Sequence, residues 1–172
     1  MSIIYWNVRG AASKSFSRNT KNLIATYKPC VFIIAEPRIS GENANRKIKS
    51  LGFQHSVKTN ARGFSSGIWI LWNDSIGKVT VLSTKPQIIT VLIEKRNERP
   101  WILSAVYANS TPSIREELWD FLENCTEFDD VAWMVIGDFN QILSPEEHNN
   151  GHLGNYRLAQ RMVDSFPGII RA

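Results

Sequence analysis

The apolar residues of this chain come in short runs, each about the length of a strand and each stopped by a turn former or a polar side chain. Val31-Phe32-Ile33-Ile34-Ala35, ended by Glu36-Pro37, is too short for a helix and rich in β-formers, so it reads as a strand buried on both faces. Residues 2–8, 53–58, 67–72, 78–83, 88–94, 101–107 and 133–136 read as further strands. Those in the middle are separated by the turn signals Asn73-Asp74, Lys85-Pro86 and 97–100, at hairpin-like intervals. No run approaches the roughly 20 apolar residues of a bilayer-spanning helix. The chain begins without a basic-then-apolar leader, so no secretory signal is expected.

Helical patterns lie between some of these strands. Residues 17–27 place Leu23, Ile24 and Tyr27 on one side and stop before Pro29; a basic stretch, 42–50, follows. After Pro112, Ser113 as N-cap with Glu116 three residues on predicts a helix with Ile114, Leu118, Phe121, Leu122 and Cys125 on one face. Residues 151–155 read as a loop and 156–166 as a last amphipathic helix. Helices mixed with parallel-type buried strands and antiparallel hairpins predict an α/β fold, a two-sheet sandwich. At 172 residues this is one domain, 1–172, large enough to bury a core unaided. A composition of 43% hydrophobic and 21% charged residues excludes a disordered or collagen-like chain. With two cysteines, Cys30 and Cys125, both in apolar patterns, disulfide scaffolds and zinc fingers are excluded too, and both thiols are expected reduced in the core of an intracellular protein.

Charge is unevenly spread. Residues 1–62 carry eleven Lys and Arg against Glu36 and Glu42, whereas residues 116–147 carry ten Asp and Glu and no Lys or Arg. Such asymmetry fits a basic surface for nucleic acid or another acidic ligand, and equally two solvated faces that attract one another.

Four strands end in a polar residue unlike the run before it: Asn7, Glu36, Tyr107, and Asp138 followed closely by Asn140. Ligands of α/β proteins sit at the carboxyl ends of strands, where loops gather side chains over a rigid platform. Converging ends would hold two carboxylates, two carboxamides and a phenol near basic residues. That donor set suits a hard divalent cation such as Mg²⁺, or Mn²⁺ in its place, shared with a phosphate, and so metal-assisted attack at phosphorus. Each residue also has a plainer explanation: Gly137-Asp138-Phe139-Asn140 and Asn7 ahead of Arg9-Gly10 can be Asx-turns, Tyr107 a half-buried strand end, and Glu36 a solvated loop carboxylate. Only their joint occurrence favours a site.

The same segments carry a resemblance. Trp6-Asn7-Val8-Arg9-Gly10, Ala35-Glu36-Pro37-Arg38, Ser66-Gly67-Ile68-Trp69-Ile70-Leu71-Trp72, Val106-Tyr107 with Pro112, and Val135-Ile136-Gly137-Asp138-Phe139-Asn140 resemble, in order, the motifs of the endonuclease/exonuclease/phosphatase superfamily. Their wording is most similar to the apurinic-like endonuclease domain of plant non-LTR (LINE-type) retrotransposons. The resemblance implies a four-layer αββα sandwich and Mg²⁺-dependent phosphodiester hydrolysis, most simply DNA nicking. It assigns Glu36 and Asn7 to the metal, Tyr107 to the scissile phosphate, Asp138 to the attacking water, and Asn140 to that Asp and a phosphate oxygen. The basic N-terminal part offers Arg9, Lys14, Arg18 and Arg38 as the expected contacts to nucleic acid, no membrane or small-molecule cofactor is expected, and the resemblance implies a nuclear location.

The resembling enzymes continue into strands with a further Asp and a Ser-Asp-His motif, whereas this sequence ends at Ile169-Ile170-Arg171-Ala172. None of His55, His148 and His152 takes that histidine's place by spacing. The Glu36-Pro37-Arg38 run and the Ser65-Ser66-Gly67 turn also depart from the family wording. The expectation is a C-terminally truncated domain of reduced activity, with an exposed sheet edge open to self-association. The alternatives are a catalytically inactive remnant that binds nucleic acid, and a phosphomonoesterase. Extending the chain with such strands is then expected to raise its melting temperature; an unchanged melting temperature would count against incomplete sheets.

Overall fold

The protein is described by a computed structural model at residues 1–59, 67–124 and 131–140. The first sheet holds β1 (Ile3–Asn7), β2 (Val31–Ala35), β3 (His55–Lys58) and β4 (Ile68–Trp72), in the order β1-β2-β4-β3. The second holds β5 (Lys78–Lys85), β6 (Ile88–Glu94), β7 (Trp101–Tyr107) and β8 (Ala132–Asp138), in sequential order. Helices α1 (Lys14–Tyr27) and α2 (Gly41–Lys49) belong with the first sheet and α3 (Pro112–Glu123) with the second.

Period-two alternation along the buried strands sorts their side chains into layers. Val31 and Ile33 of β2, with Ile68, Ile70 and Trp72 of β4, meet Ile89, Val91 and Ile93 of β6 and Leu103 and Ala105 of β7 between the sheets. The other face of the first sheet, Phe32, Ile34, Trp69 and Leu71, packs on Phe16 of α1 and Ala44 and Ile48 of α2. The other face of the second, Ile88 and Val106, packs on Leu118, Trp119 and Leu122 of α3. The result is the expected four-layer αββα sandwich. Each buried Ile, Leu or Val contributes about 1.5–3 kcal/mol, so the central layer dominates its stability.

Two strand pairs are parallel, and they position everything that follows. β1 pairs with β2 in the register Asn7↔Ala35, and β7 with β8 in the register Tyr107↔Asp138. A parallel pair needs a crossover, which α1 and α3 supply, so each pair delivers both carboxyl ends to the same end of its sheet. The remaining pairs are antiparallel. Among the described residues β1 and β8 are each paired on one side only.

Several expectations need correction. Helix α1 begins three residues before position 17, because the Ser13 hydroxyl caps it by accepting the Phe16 N–H. Strand β3 begins at His55, two residues after position 53. Ser113 is not a cap: Thr111 holds that position and Pro112 starts α3, where its missing N–H costs nothing. The buried face of α3 carries Arg115, Leu118, Trp119 and Leu122, while Ile114 is exposed, because Arg115 turns inward to bind loop carbonyls. Strand β8 is half-buried, with Met134 exposed, as suits a strand paired on one side. Cys30 is half-buried against the central layer. Cys125, Ser65 and Ser66, His148 and His152, the loop 151–155 and the helix 156–166 lie outside the described residues.

Gly137 lies in β8 where the β7 backbone comes close. A Cβ there would stand 2.1 Å from the Val106 carbonyl oxygen, which cannot yield without breaking the ladder. Gly137→Ala is expected to cost about 1–3 kcal/mol, read as a lower midpoint in urea; an unchanged midpoint would contradict the close β7–β8 approach.

Candidate active site

The two parallel pairs stack so that their carboxyl ends meet across the sandwich. Asn7 ends β1, Glu36 follows β2, Tyr107 ends β7 and Asp138 ends β8. Hydrogen bonds between side chains join the two sheets twice at this level. Asn7 Nδ2 donates to Asp138 Oδ2 at 2.9 Å, and the Tyr107 hydroxyl donates to Glu36 Oε1. Residues separated by 131 and 71 positions in the chain are thereby joined in one polar cluster.

Both turns have the Asx form read from the sequence: Asp138 Oδ1 accepts the Asn140 N–H at 3.0 Å, and Asn7 Oδ1 accepts the Arg9 N–H at 3.4 Å. The turns do not exhaust these side chains, since the remaining oxygen of Asp138 and nitrogen of Asn7 bind each other. Glu36 is not a solvated carboxylate: it is 8% exposed, with Arg38 Nη2 3.1 Å from its Oε2. Arg38 is itself more than half exposed and caps the carboxylate from solvent. Asn140 Nδ2 donates to the Ala108 carbonyl at 2.7 Å, so the side chain ties the β8 turn to the end of β7, leaving Oδ1 outside that bond. Arg9 is exposed beside Asn7, and Lys14 and Arg18 lie exposed on α1. The structure thus brings together Asn7, Glu36, Tyr107, Asp138, Asn140 and Arg38, with Lys14 and Arg18 set on the neighbouring helix.

Backbone conformation concentrates here too. Of the six non-glycine residues with positive φ among the described residues, four are Arg9, Glu36, Arg38 and Asn140. Left-handed backbone costs a residue with a Cβ about 1–3 kcal/mol and persists only where the surroundings impose it. Around Glu36 they do: its N–H donates to the Gly67 carbonyl at 3.1 Å, and Ala11 N–H donates to the Pro37 carbonyl at 2.8 Å.

Two supporting residues escaped the sequence reading. Tyr5 looked like one more apolar position of β1, yet its hydroxyl donates to the Val106 carbonyl at 2.8 Å and accepts the Asp138 N–H at 3.0 Å. It therefore fixes the residue after which the β8 turn begins. Burial, with Asp138, Tyr107 and Glu36 close by, holds its phenol well above the ordinary value. Arg115 was hidden because helical periodicity favoured Ile114. Its side chain is 4% exposed, and Nη1 donates to the Asn109 carbonyl at 3.0 Å and to the Asn140 carbonyl, joining the loops after β7 and β8. Phe139 adds an apolar anchor by stacking on Trp119 at 5.9 Å.

The donor chemistry fits a hard cation. Glu36, Asp138 and the Asn7 carbonyl offer oxygen, and Mg²⁺ is typically held by one or two carboxylates, substrate phosphate and water. Among the described residues no cluster of three acidic, His or Cys side chains stands ready to bind a metal. A cation held by one or two carboxylates and completed by substrate phosphate and water does not require one. His55, the described histidine, is remote: it pairs with Asp74 beside Trp72, at the far end of β4 from Ile68, the partner of Ala35.

The sequence matches no protein-family model and no curated protein. Solved structures do share the fold. A 3′ phosphatase from Neisseria, bound to product DNA hairpin, superposes with a TM-score of 0.67 at 17% identity over 96% of this chain and 71% of its own. The endonuclease domain of TRAS1, a telomere-specific non-LTR retrotransposon, gives 0.66 at 14% identity over 96% and 70%. An AP endonuclease from Leishmania major gives 0.66 at 15% identity over 96% and 65%, so the chain spans just under two thirds of that protein. This chain accordingly shares with these structures its fold, a four-layer αββα sandwich of two mixed four-stranded sheets. No described helix is long and apolar enough to cross a membrane.

Tyr5→Phe deletes one donor and one acceptor at the sheet junction and is expected to cost about 1–3 kcal/mol. Because burial raises the phenol above its ordinary 10.0, its contribution is fully present below that pH and is lost as pH rises further. Denaturation midpoints of wild type and variant should therefore differ at pH 8 and converge at higher pH. A gap that stays constant through this range would contradict the buried, neutral phenol.

Proposed function

We propose that this chain is a metal-assisted phosphodiesterase that nicks DNA, with Glu36 and Asn7 holding Mg²⁺ or Mn²⁺ and Asp138 acting on the attacking water. The observation that carries this reading is the double cross-sheet link, Asn7 to Asp138 and Tyr107 to Glu36, which gathers oxygen donors and a basic proton acceptor at one end of the sandwich. The DNA-bound Neisseria phosphatase and the TRAS1 endonuclease domain, alike in fold, support nucleic acid as substrate. The order and wording of the sequence motifs favour a plant non-LTR retrotransposon endonuclease as origin, and an enzyme of that origin would act on chromosomal DNA in the nucleus.

When bound, the cation supplies charge stabilisation at the phosphate oxygens of the transition state. The chain's own residues do the rest. Each oxygen of Asp138 has accepted one hydrogen bond and retains a lone pair, so the carboxylate can take a proton from water while held in place by Asn7 and Asn140. The water oxygen then bonds to phosphorus as the bond from phosphorus to the leaving oxygen breaks, and the leaving oxygen takes a proton from solvent. Tyr107 and Arg38 keep Glu36 oriented, and the Asn140 side chain keeps its turn against β7.

The remoteness of His55 favours a second reading, a remnant that binds nucleic acid without turning it over, since a positioned acid–base group contributes about 10²–10⁴-fold. Nicking of supercoiled plasmid separates the two. With Mg²⁺ the folded chain is expected to produce open circles, EDTA to abolish them, and Glu36→Gln to slow nicking by at least about 100-fold. Undiminished nicking by Glu36→Gln would sink the assignment of Glu36, and a folded chain that never nicks would leave the binding remnant.

A further inference from the structure

Beside the loops after β1 and β2 the surface opens into a cleft of about 410 Å³, lined by Ala12, Ile39, Asn43, Arg46, Lys47 and Ser50. Ala12 lies five residues beyond Asn7, and Ile39 three beyond Glu36. The bond from Ala11 N–H to the Pro37 carbonyl, 2.8 Å, locks these two loops together, so the cleft is rigidly joined to the polar cluster.

Its lining is cationic without matching anions. Lys47 Nζ donates to Ser17 Oγ at 3.0 Å and lies over the Phe16 ring, while Arg46 Nη2 donates to Asn43 Oδ1 at 2.6 Å. Among the described residues neither cation pairs with a carboxylate. Helices α1 and α2 together carry Lys14, Arg18, Lys21, Arg46, Lys47 and Lys49 against Glu42 alone, and Glu42 is engaged with Asn45. Cations in the last turn of α2 complement its dipole, but Lys14, in the first turn of α1, opposes that helix's dipole, so helix stability does not account for the whole set.

We propose that this cleft seats the phosphate backbone of a DNA duplex beside the bond held at Glu36 and Asp138, with Arg46 and Lys47 each contacting one phosphate. The choice of DNA rests on the phosphodiesterase reading; the demand for a polyanion rests on the cleft. Two neutralised phosphates release counterions, each steepening the dependence of log K on log salt by about 0.9.

The test is fluorescence anisotropy of a labelled 20-base-pair DNA duplex, titrated in EDTA across a range of salt. Replacing both cations, Arg46→Gln with Lys47→Gln, is expected to flatten the salt slope by about 1.8. Arg46→Gln alone, an exposed change that leaves the Lys47–Ser17 contact intact, should flatten it by about half as much. The pair Arg96→Gln with Arg99→Gln removes the same charge from the exposed β6–β7 turn and should leave the slope almost unchanged. Equal flattening by both pairs, or none from the cleft variants, overturns the proposal. Tighter binding of an RNA duplex through the same residues overturns the choice of DNA. A wild-type chain that shows the cleft-dependent slope but never nicks sinks the phosphodiesterase reading and leaves the cleft standing. Nicking with a slope indifferent to Arg46 and Lys47 does the reverse.

Discussion

Stacking one parallel strand pair on another is the constraint from which the rest of the structure follows. The apolar layer between the sheets, built on Ile33, Ile70, Val91 and Leu103, supplies the stabilisation that holds the two pairs face to face. At one end of that layer the Tyr5 hydroxyl crosses from the first sheet to the second, binding the Val106 carbonyl and the Asp138 N–H. A phenol suits this place because its ring joins the central layer while its oxygen both donates and accepts. Beyond it, the strands have no further apolar residues to interleave, and polar side chains take over.

That transition explains why polar groups and costly backbone coincide. Glu36, Arg38, Arg9 and Asn140 all adopt left-handed conformations within a few residues of a strand's carboxyl end. Two of them are held by residues distant in sequence, Glu36 by Gly67 and Asn140 by Arg115 and Ala108. Much of the surrounding hydrogen bonding thus orients two carboxylates that would otherwise be solvated, the kind of preorganisation that a site acting on developing charge requires. The cleft along α2 extends the same end of the molecule with cations, opposite in sign to the acidic cluster.

Much of this was legible in the sequence, and the exceptions have physical causes. Strands β2, β6 and β7 have the bounds read from the sequence because their apolar runs stop sharply at turn formers or a polar residue. Asn7, Glu36, Tyr107 and Asp138 stood out because each contradicts the apolar lead-in before it. Tyr5 and Arg115 did not. An aromatic inside an apolar strand looks like packing until its hydroxyl is found to cross between sheets. A buried arginine violates the periodicity by which helix faces are read, and only the loop carbonyls of Asn109 and Asn140, distant in sequence, explain it. The start of α3 was misplaced because Ser113 with Glu116 imitates a capping box, while Pro112 one residue earlier already has the conformation of a first helical turn.

Paramagnetic broadening of backbone amide signals by Mn²⁺, followed by NMR on the intact chain, tests most directly whether these strand ends form one cation site. The account predicts that substoichiometric Mn²⁺ selectively broadens Asn7, Glu36, Asp138 and Asn140, residues from both sheets, and that Glu36→Gln removes the effect. Broadening centred instead on Glu116, Glu117 and Asp120 of α3, or broadening at the strand ends that survives Glu36→Gln, would contradict it.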